Sequence, residues 1–568
     1  MIFYMLVFGK VNIVIGLMVV VAALLNLGND LSYNPKLSFI KVFSLLMILG
    51  FASYLNNPIT AFGCILTFFI VFGTTFTSYH LFGTHVYLPF LMIYFMMVVI
   101  PVPLEALPMR LLSLAIGAIF IVGLNLKVNG KKYSKLSKFT ISSLINELLE
   151  AIDLKLDGKE VSMDSFNVAN GFYRSIFSKF EYKYFPNQKH ECILNILKSF
   201  QYIGWSLSNY ELSVNELTHI KRILNDIKNF KFSEIEEITG ETKEMNLILL
   251  NLKIIVNEAS KKNIEKEKKI PNKYVVFNVL KHLIKRQFSF KSAKFTFAFK
   301  MAVVLTLWEV ITLIFNFPYT KWLYFASIPL MLPYIDDVAH TAKSRMGGTL
   351  IGVSAFAVIM IALQYIPISS YIAMIIVLIA SLFGMVFSLQ NKLKLSSFTT
   401  LMSVTVSLMY ITPPKAIELK ILWVIVAMIV VTFINYGFLP FSVEKETKNN
   451  LKTSYVLNRC FVNLIKLKCE GKNINKTSLL AVSSMVHENI ELTNNNKELY
   501  QMQTKTTNIS NSILNYIEIY GISSEMKVKI IKVIENKGNF DNHENIILYS
   551  INYVVNLLNE EKNLIESI

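Results

Sequence analysis

The chain has 568 residues, 53% of them hydrophobic and 12% aromatic, with a formal net charge of +17 and a mean hydropathy of +0.46. That is too apolar for a soluble chain of this length, and several runs approach the ~20 apolar residues that cross a ~30 Å hydrocarbon core, so the class is an all-α, polytopic membrane protein. The basic excess fits the Lys/Arg bias of membrane proteins toward the cytoplasm and its anionic lipid; no nucleic-acid motif accompanies it, and no nucleic-acid partner is expected.

The first apolar block ends near Leu126, with helices expected at about 11–27, 42–55, 59–76, 86–101 and 106–126. Its opening, "MIFYMLVFGKVNIVIGLMVVV", lacks the basic start and the small-residue cleavage site of a signal peptide. A polar, Lys-rich segment, 127–292, follows, in which "SSLINELLEAIDL" sets Leu144, Ile145, Leu148, Leu149 and Ile152 on one helical face. The second apolar block, 293–440, is expected to hold helices near 295–316, 322–335, 347–365, 371–388, 396–411 and 420–440. The segment 441–568 closes the chain with another amphipathic run, "NIILYSINYVVNLLNEE". Neither polar segment alternates like a strand, so the expected organisation is two tandem membrane blocks, 1–126 and 293–440, each followed by a cytoplasmic helical domain, 127–292 and 441–568.

Lysine placement orients the spans. Lys127, Lys131, Lys132, Lys135 and Lys138 follow the first block, Lys281, Lys285, Arg286 and Lys291 precede the second, and Lys445, Lys448 and Lys452 follow it. Both polar segments therefore come out cytoplasmic, and the chain comes out as a multi-pass protein of the cytoplasmic membrane. Lys343 with Arg345, and Lys392 with Lys394, mark inner loops; the uncharged loop near 366–370 comes out external. The mixed loop holding Lys415, Glu418 and Lys420 runs against this scheme. Block two closes with both ends inside, whereas five helices in block one leave the N-terminus outside, as though a partner helix at the start were missing or shortened. The recurrence of block and polar segment suggests a parallel duplication, and "NDLSYNPKLSFIKVFS" (29–44) echoes "DDVAHTAKSRMGGT".

One stretch carries the chemistry: "PYIDDVAHTAKSRMGGTLIG", residues 333–352. Gly348 and Gly352 form the small-xxx-small pattern that lets helix backbones approach, and Thr349 can return its hydroxyl bond to its own helix. Asp336 and Asp337 either pair with Lys343 or Arg345 and fix the hairpin, or the turn rims the inner mouth of a pathway where Lys343 and Arg345 meet anions. Two acids with His340 could hold a cation, but further ligands are missing and no metal site is expected. Glu309, in "VVLTLWEVITLIF", is ionisable in mid-span and so a functional candidate; it exchanges protons if burial raises its pKa, or it pairs with a base or faces water. Lys300 either snorkels to the interface or attracts anions in a vestibule. Asn435 reads as a helix–helix hydrogen bond, Gln364 as interfacial, and His80 and His85 as loop residues. Cys64, Cys192, Cys460 and Cys469 show no metal or redox spacing. No nucleotide-binding, metalloprotease or serine-hydrolase motif appears, so no catalysis and no cofactor are expected, and transport would run on a gradient.

These residues resemble the fusaric acid resistance (FUSC) family and the related aromatic acid exporters. The likeness rests on "FKSAKFTFAFKMAVVLTL" (290–307), on Trp322 opening the next span, on Pro329 and Pro333 along it, and on Arg345, Gly348, Thr349 and Gly352 as Arg-x-x-Gly-Thr-x-x-Gly. "FLP" (438–440) is similar to the family's closing helix, and "RLLSLAIGA" (110–118) to that helix's start. The resemblance implies an exporter of aromatic or other amphipathic organic anions, with Lys300, Glu309, Trp322, Asp336, Asp337, Lys343 and Arg345 as pathway candidates. Membrane lipid, a small organic anion and a second copy of the chain are the partners expected. A membrane scaffold whose cytoplasmic helices recruit partners is the alternative.

Overall fold

The computed structural model describes residues 2–28, 35–57, 59–78, 87–130, 132–161, 188–229, 243–260, 288–315, 322–365, 370–388, 391–408, 411–472, 497–535 and 546–567, with a few single positions between them. His80, His85, Lys131, Lys281, Lys285, Arg286 and most of the expected external loop at 366–369 lie outside the described residues.

Among the described residues every regular element is helical. In chain order the helices are α1 (Ile2–Phe8), α2 (Ile13–Leu25), α3 (Pro35–Leu55), α4 (Ala61–Ser78), α5 (Tyr87–Val99) and α6 (Leu107–Asn129). Next come α7 (Lys132–Leu156), α8 (Gln188–Asn209), α9 (Val214–Lys228) and α10 (Lys243–Ser260). Then follow α11 (Ala293–Phe315), α12 (Trp322–Ser327), α13 (Val338–Ala362), α14 (Ser370–Phe387), α15 (Lys392–Ser407) and α16 (Pro413–Gly437). The last are α17 (Val443–Cys469), α18 (Lys497–Tyr520), α19 (Ser524–Ile534) and α20 (Ile546–Ser567). The chain divides into two compact units, residues 1–130 with 286–446 and residues 131–285 with 447–568, so each unit draws on both halves of the sequence.

The first unit is a multi-pass membrane body. Among the described residues six helical segments are long and apolar enough to cross a membrane: Pro35–Leu55, Ala61–Ser78, Leu104–Asn129, Ala293–Phe315, Ile335–Ala362 and Pro413–Gly437. The helices α2 and α5 are apolar on every side, a pattern that suits either lipid or a protein interior. Burial decides between them: Ile15, Leu17, Val19 and Ala22 of α2 and Leu91, Ile93, Tyr94 and Phe95 of α5 are buried in one core. By contrast α14, equally apolar, exposes Ile372, Ile376, Phe383 and Phe387 and so presents itself to lipid. The two apolar blocks meet where α4 packs along α11. Phe68, Phe72 and Phe76 stack one turn apart on α4, and Phe295 stacks on Phe299 along α11. Edge-to-face pairs at 5.7 Å (Phe68–Phe299) and 5.4 Å (Phe72–Phe295) join the two ladders, each worth about 0.5–1.5 kcal/mol beyond burial.

Three expected boundaries are corrected. The helix expected over 322–335 stops at Ser327, because Pro329 and Pro333 each remove a backbone donor and fix φ. The irregular stretch that follows is buried at Ile328, Leu330, Met331, Leu332 and Tyr334, which is where non-helical backbone at membrane depth is tolerated. Leu330 and Met331 both donate their amides to the Ser327 carbonyl, at 3.0 and 3.1 Å, and Ile335 donates to the Phe441 carbonyl at 3.0 Å. The next helix, α13, begins at Val338 and not at 347, so Lys343 and Arg345 ride on a helix. Finally, α16 begins at Pro413, a residue suited to a first helical turn, and this places Lys415, Glu418 and Lys420 on the helix, not in a loop. A short helix, α1, also precedes the first expected span; the Tyr4 hydroxyl ties it to the Ser113 carbonyl at 2.9 Å.

The second unit is a polar helical bundle. The stripe read from the sequence is buried at Leu144, Ile145, Leu148 and Ile152, and α20 buries Ile547, Ile551, Val554 and Leu557. A capping box starts α9, with the Ser213 hydroxyl accepting from the Glu216 amide and the Glu216 carboxylate accepting from the Ser213 amide. The centre of the bundle also holds a carboxylate. Glu561 is fully buried and accepts from Thr506 Oγ1 at 2.6 Å and Asn458 Nδ2 at 3.2 Å. Burial pushes its carboxyl up to about 7, against the lowering effect of those two donors.

Candidate functional site

The membrane unit buries its ionisable side chains in separate settings. The first surrounds Glu309, fully buried in the C-terminal half of α11. Asn56, just past the end of α3, donates to Glu309 Oε1 at 2.7 Å, and Thr67 of α4 donates to the same oxygen at 2.9 Å. Thr67 also shares a 2.7 Å hydrogen bond with the Tyr94 hydroxyl of α5. Gly63 makes room for this cluster, since a Cβ there would stand 2.0 Å from Asn56 Oδ1. Above the cluster Phe95 stacks on Tyr324 at 4.2 Å. The carboxylate of block two is therefore cradled by neutral donors from block one. The sequence singled out Glu309 but not its partners; Thr67 and Tyr94 lie in apolar runs and Asn56 in a polar turn after a helix, where nothing signals a pairing.

The second setting is Arg345, one to two turns into α13 and buried. Its Nη1 donates to Thr399 Oγ1 at 3.0 Å and lies 3.5 Å from Ser396 Oγ, both on α15. Ser396 Oγ donates in turn to the Arg345 carbonyl at 3.2 Å, and Thr349 Oγ1 returns a 2.8 Å bond to that same carbonyl, as its spacing predicts. The glycines permit this approach. A Cβ on Gly348 would meet Ser396 Cβ at 2.5 Å and the Leu393 carbonyl at 2.7 Å, and one on Gly352 would meet the Ser397 carbonyl at 2.5 Å. Among the described residues no carboxylate pairs with Arg345.

The remaining candidates separate. Asp336 and Asp337 are exposed and form no ion pair with Lys343 or Arg345 among the described residues; Asp336 instead accepts the Val443 amide at 2.9 Å and so caps α17. Lys343 and His340 are exposed, and among the described residues no group of three or more His, Cys, Asp and Glu side chains has metal-holding geometry. Lys300 does not snorkel: it is fully buried, with Nζ 3.3 Å from Asn435 Oδ1. This is the helix–helix bond expected of Asn435, here between α11 and α16. Glu309 takes its hydrogen bonds from Asn56 and Thr67 and Arg345 gives its own to Ser396 and Thr399, so the two stand in different settings.

A small cleft of about 20 Å³ is walled by α12, α15 and α16. Trp322 lines it, as do Trp423, Lys420, Ser403 and Ser407. Lys420 is the residue that sequence reasoning missed. Beside Lys415 and Glu418 it looked like part of a charged loop, yet it is buried on the second turn of α16. The signal was its spacing: Lys415 and Glu418 pair with each other at 3.3 Å, and Lys420 sits on a different face.

Residues 305–434 match the family described as fusaric acid resistance protein-like. That stretch of the second membrane block is similar to the family and includes Glu309, Trp322, Arg345, Gly348, Thr349, Gly352 and Lys420, while Lys300 and Asn435 fall just outside it. No curated protein and no solved structure matches the chain.

Proposed function

We propose that the chain exports aromatic or other amphipathic organic anions across the cytoplasmic membrane, driven by an ion gradient and not by ATP. The setting of Arg345 carries this reading: a guanidinium buried in a membrane-crossing helix and held, among the described residues, only by neutral hydroxyls. A cation at that depth is costly and marks solute pathways, and neutral hydroxyls do not cancel its charge, so an arriving anion finds a partner there. The FUSC-like match over 305–434 supports the same role. Lys343, at the exposed start of α13, together with Lys127, Lys445, Lys448 and Lys452, supports a cytoplasmic reading of these helix ends by the positive-inside rule. Arg345 then stands near the inner mouth, with Asp336 and Asp337 at its rim. Glu309, a buried carboxylate on neutral donors, is the proton-coupling candidate.

Everted membrane vesicles supplied on the outside with labelled benzoate test this. Arg345→Ala should cut uptake about tenfold or more and Arg345→Lys should restore part of it, since a charge-assisted hydrogen bond contributes ~1.5–3 kcal/mol. Unchanged uptake in a folded Arg345→Ala variant would remove the residue from the pathway. The size of the polar unit, residues 131–285 with 447–568, favours one rival, a scaffold that recruits partners. That rival requires no flux of benzoate or related acids through the intact protein, and loss of function on deleting 447–568.

A further inference from the structure

Residues 288–292 turn the chain into α11 and set two lysines at one corner. The Ser292 amide donates to the Ser289 carbonyl at 2.9 Å and the Lys291 amide donates to Ser289 Oγ at 3.3 Å, which closes the turn and leaves the Lys291 side chain exposed. Lys294 follows on the first turn of α11, its ammonium 4.5 Å from the centre of the Phe76 ring near the end of α4. Phe288 packs on that same ring at 4.7 Å. Phe76 thus holds Lys294 beside the turn, by an attraction that leaves its positive charge uncancelled. Among the described residues no carboxylate pairs with Lys294. Helix α4 carries no acid, and the acid of α11, Glu309, lies fifteen residues beyond Lys294, roughly 22 Å along the axis. On α16 Glu418 sits at the opposite end from Phe438 and pairs with Lys415, and Asp336 is committed to the Val443 amide.

Beside the lysines runs a shelf of aromatic rings. Phe290 meets Phe295 at 5.0 Å and Phe299 at 5.3 Å, and Phe299 stacks at 6.3 Å on Phe438, just past α16. The shelf is open on one side: Phe288, Phe290 and Phe438 are 56%, 46% and 40% exposed. It stands where α4 ends, α11 begins and α16 ends, and all three helices are long and apolar enough to cross a membrane. From the start of α11 it reaches to Phe299, six residues and about 9 Å along the axis, the depth over which headgroups give way to acyl chains. Rings at that level with lysines above them form an interfacial girdle. A free inorganic anion would leave the rings uncovered, whereas a phospholipid covers both parts, with its phosphate on the ammoniums and a chain on the rings. The lysines favour a lipid with net negative charge, since a choline headgroup brings its own cation to the phosphate.

We propose that this corner seats one anionic phospholipid, its phosphate between Lys291 and Lys294 and an acyl chain along Phe290, Phe299 and Phe438. The site belongs to the membrane unit alone and does not depend on what the protein carries. The full chain, delipidated in detergent, is titrated with dioleoylphosphatidylglycerol and with dioleoylphosphatidylcholine, and native mass spectrometry reads the affinity for the first lipid bound. Phosphatidylglycerol should bind about tenfold or more tightly, because each lysine near a membrane surface contributes a several-fold preference for negative charge. The double variant Lys291→Gln with Lys294→Gln should bring that preference to within about threefold by weakening phosphatidylglycerol alone. Lys445→Gln, beside Phe441 at the same end of the unit, should leave it intact, which separates a site from bulk positive charge. Phe290→Ala should weaken both lipids several-fold, and glycerol 3-phosphate, a phosphate without chains, should bind about a hundredfold more weakly than phosphatidylglycerol or less. Equal affinity of the unaltered protein for the two lipids overturns the site. So does an undiminished preference in the double variant, an equal loss in Lys445→Gln, unchanged binding in Phe290→Ala, or glycerol 3-phosphate as tight as the lipid. If the double variant does not fold, Lys291→Gln alone, at an exposed turn position, decides: it should lower the preference several-fold.

Discussion

Asn56 donates a 2.7 Å hydrogen bond to Glu309, a partner 253 positions further along the chain. With Thr67 at 2.9 Å, it makes one carboxylate oxygen the polar junction of the two apolar blocks, beside the phenylalanine ladder of α4 and α11. Both of these donors are neutral side chains.

Glu309→Gln keeps the size and an acceptor oxygen for Asn56 and Thr67 but has no proton to release. If the carboxyl couples transport to a proton gradient, the variant should lose benzoate uptake driven by an imposed pH gradient while keeping anion counterflow within roughly threefold, because the hydrogen bonds survive. Both fluxes are read in the same vesicles. A variant that still responds to the pH gradient would reduce Glu309 to a structural junction.

The glycines of α13 give a graded stability test. At Gly348 an added Cβ meets Ser396 and the Leu393 carbonyl at 2.5 and 2.7 Å, whereas at Gly347 the nearest atom is Leu393 Cδ1 at 3.5 Å. Gly348→Ala should therefore push α13 off α15, stretch the Arg345–Thr399 bond and destabilise the membrane unit by about 1–3 kcal/mol, the usual cost of overpacking. Gly347→Ala should be neutral or slightly stabilising, since alanine favours helix. Thermal unfolding of the purified variants in detergent compares the two; equal melting temperatures would contradict the close approach.

These contrasts show what was legible beforehand. The Gly348–Gly352 spacing announced a close helix pair, and α15 is its partner. The apolar stripes of α7 and α20 announced a bundle interior. Pairing across the chain was not legible: nothing in the sequence links Asn56 to Glu309 or Thr399 to Arg345, because hydrogen bonds between distant helices leave no periodicity. Apolar composition also could not distinguish α2, buried on all sides, from α14, which faces lipid. Lys420 was lost for a related reason. A charged residue near a helix start reads as surface, and its burial depends on Trp322, Trp423 and α15, which arrive from elsewhere in the chain.

Glu561 ties the stability of the polar bundle to pH. Burial raises its carboxyl from 4.5 to about 7, so between those values the folded state holds a proton that the unfolded chain releases. The resulting stabilisation is full below about pH 4.5 and is lost as pH rises through about 7. The intact protein should therefore show the bundle's melting temperature falling between pH 5 and pH 8, with a contribution of up to a few kcal/mol. Glu561→Gln, which cannot ionise, should flatten that slope. A slope unchanged by the substitution would assign the dependence to another group.

Lys300 and Asn435 offer the clearest separation of structural from transport roles. Both are fully buried, and among the described residues Asn435 Oδ1, at 3.3 Å, is the hydrogen-bond acceptor for the ammonium. Removing only the acceptor, in Asn435→Leu, strands a buried cation and should cost about 3–5 kcal/mol. Removing both, in Lys300→Met with Asn435→Leu, exchanges the pair for apolar groups of similar volume and should return stability to within about 1 kcal/mol of the starting protein. The double variant then answers the functional question without the confusion of misfolding. Restored stability with lost benzoate flux would place Lys300 among the groups that draw anions inward, whereas restored stability with normal flux would make the pair a fastening between α11 and α16. A double variant less stable than Asn435→Leu alone would show that Lys300 has a further stabilising role in the membrane core.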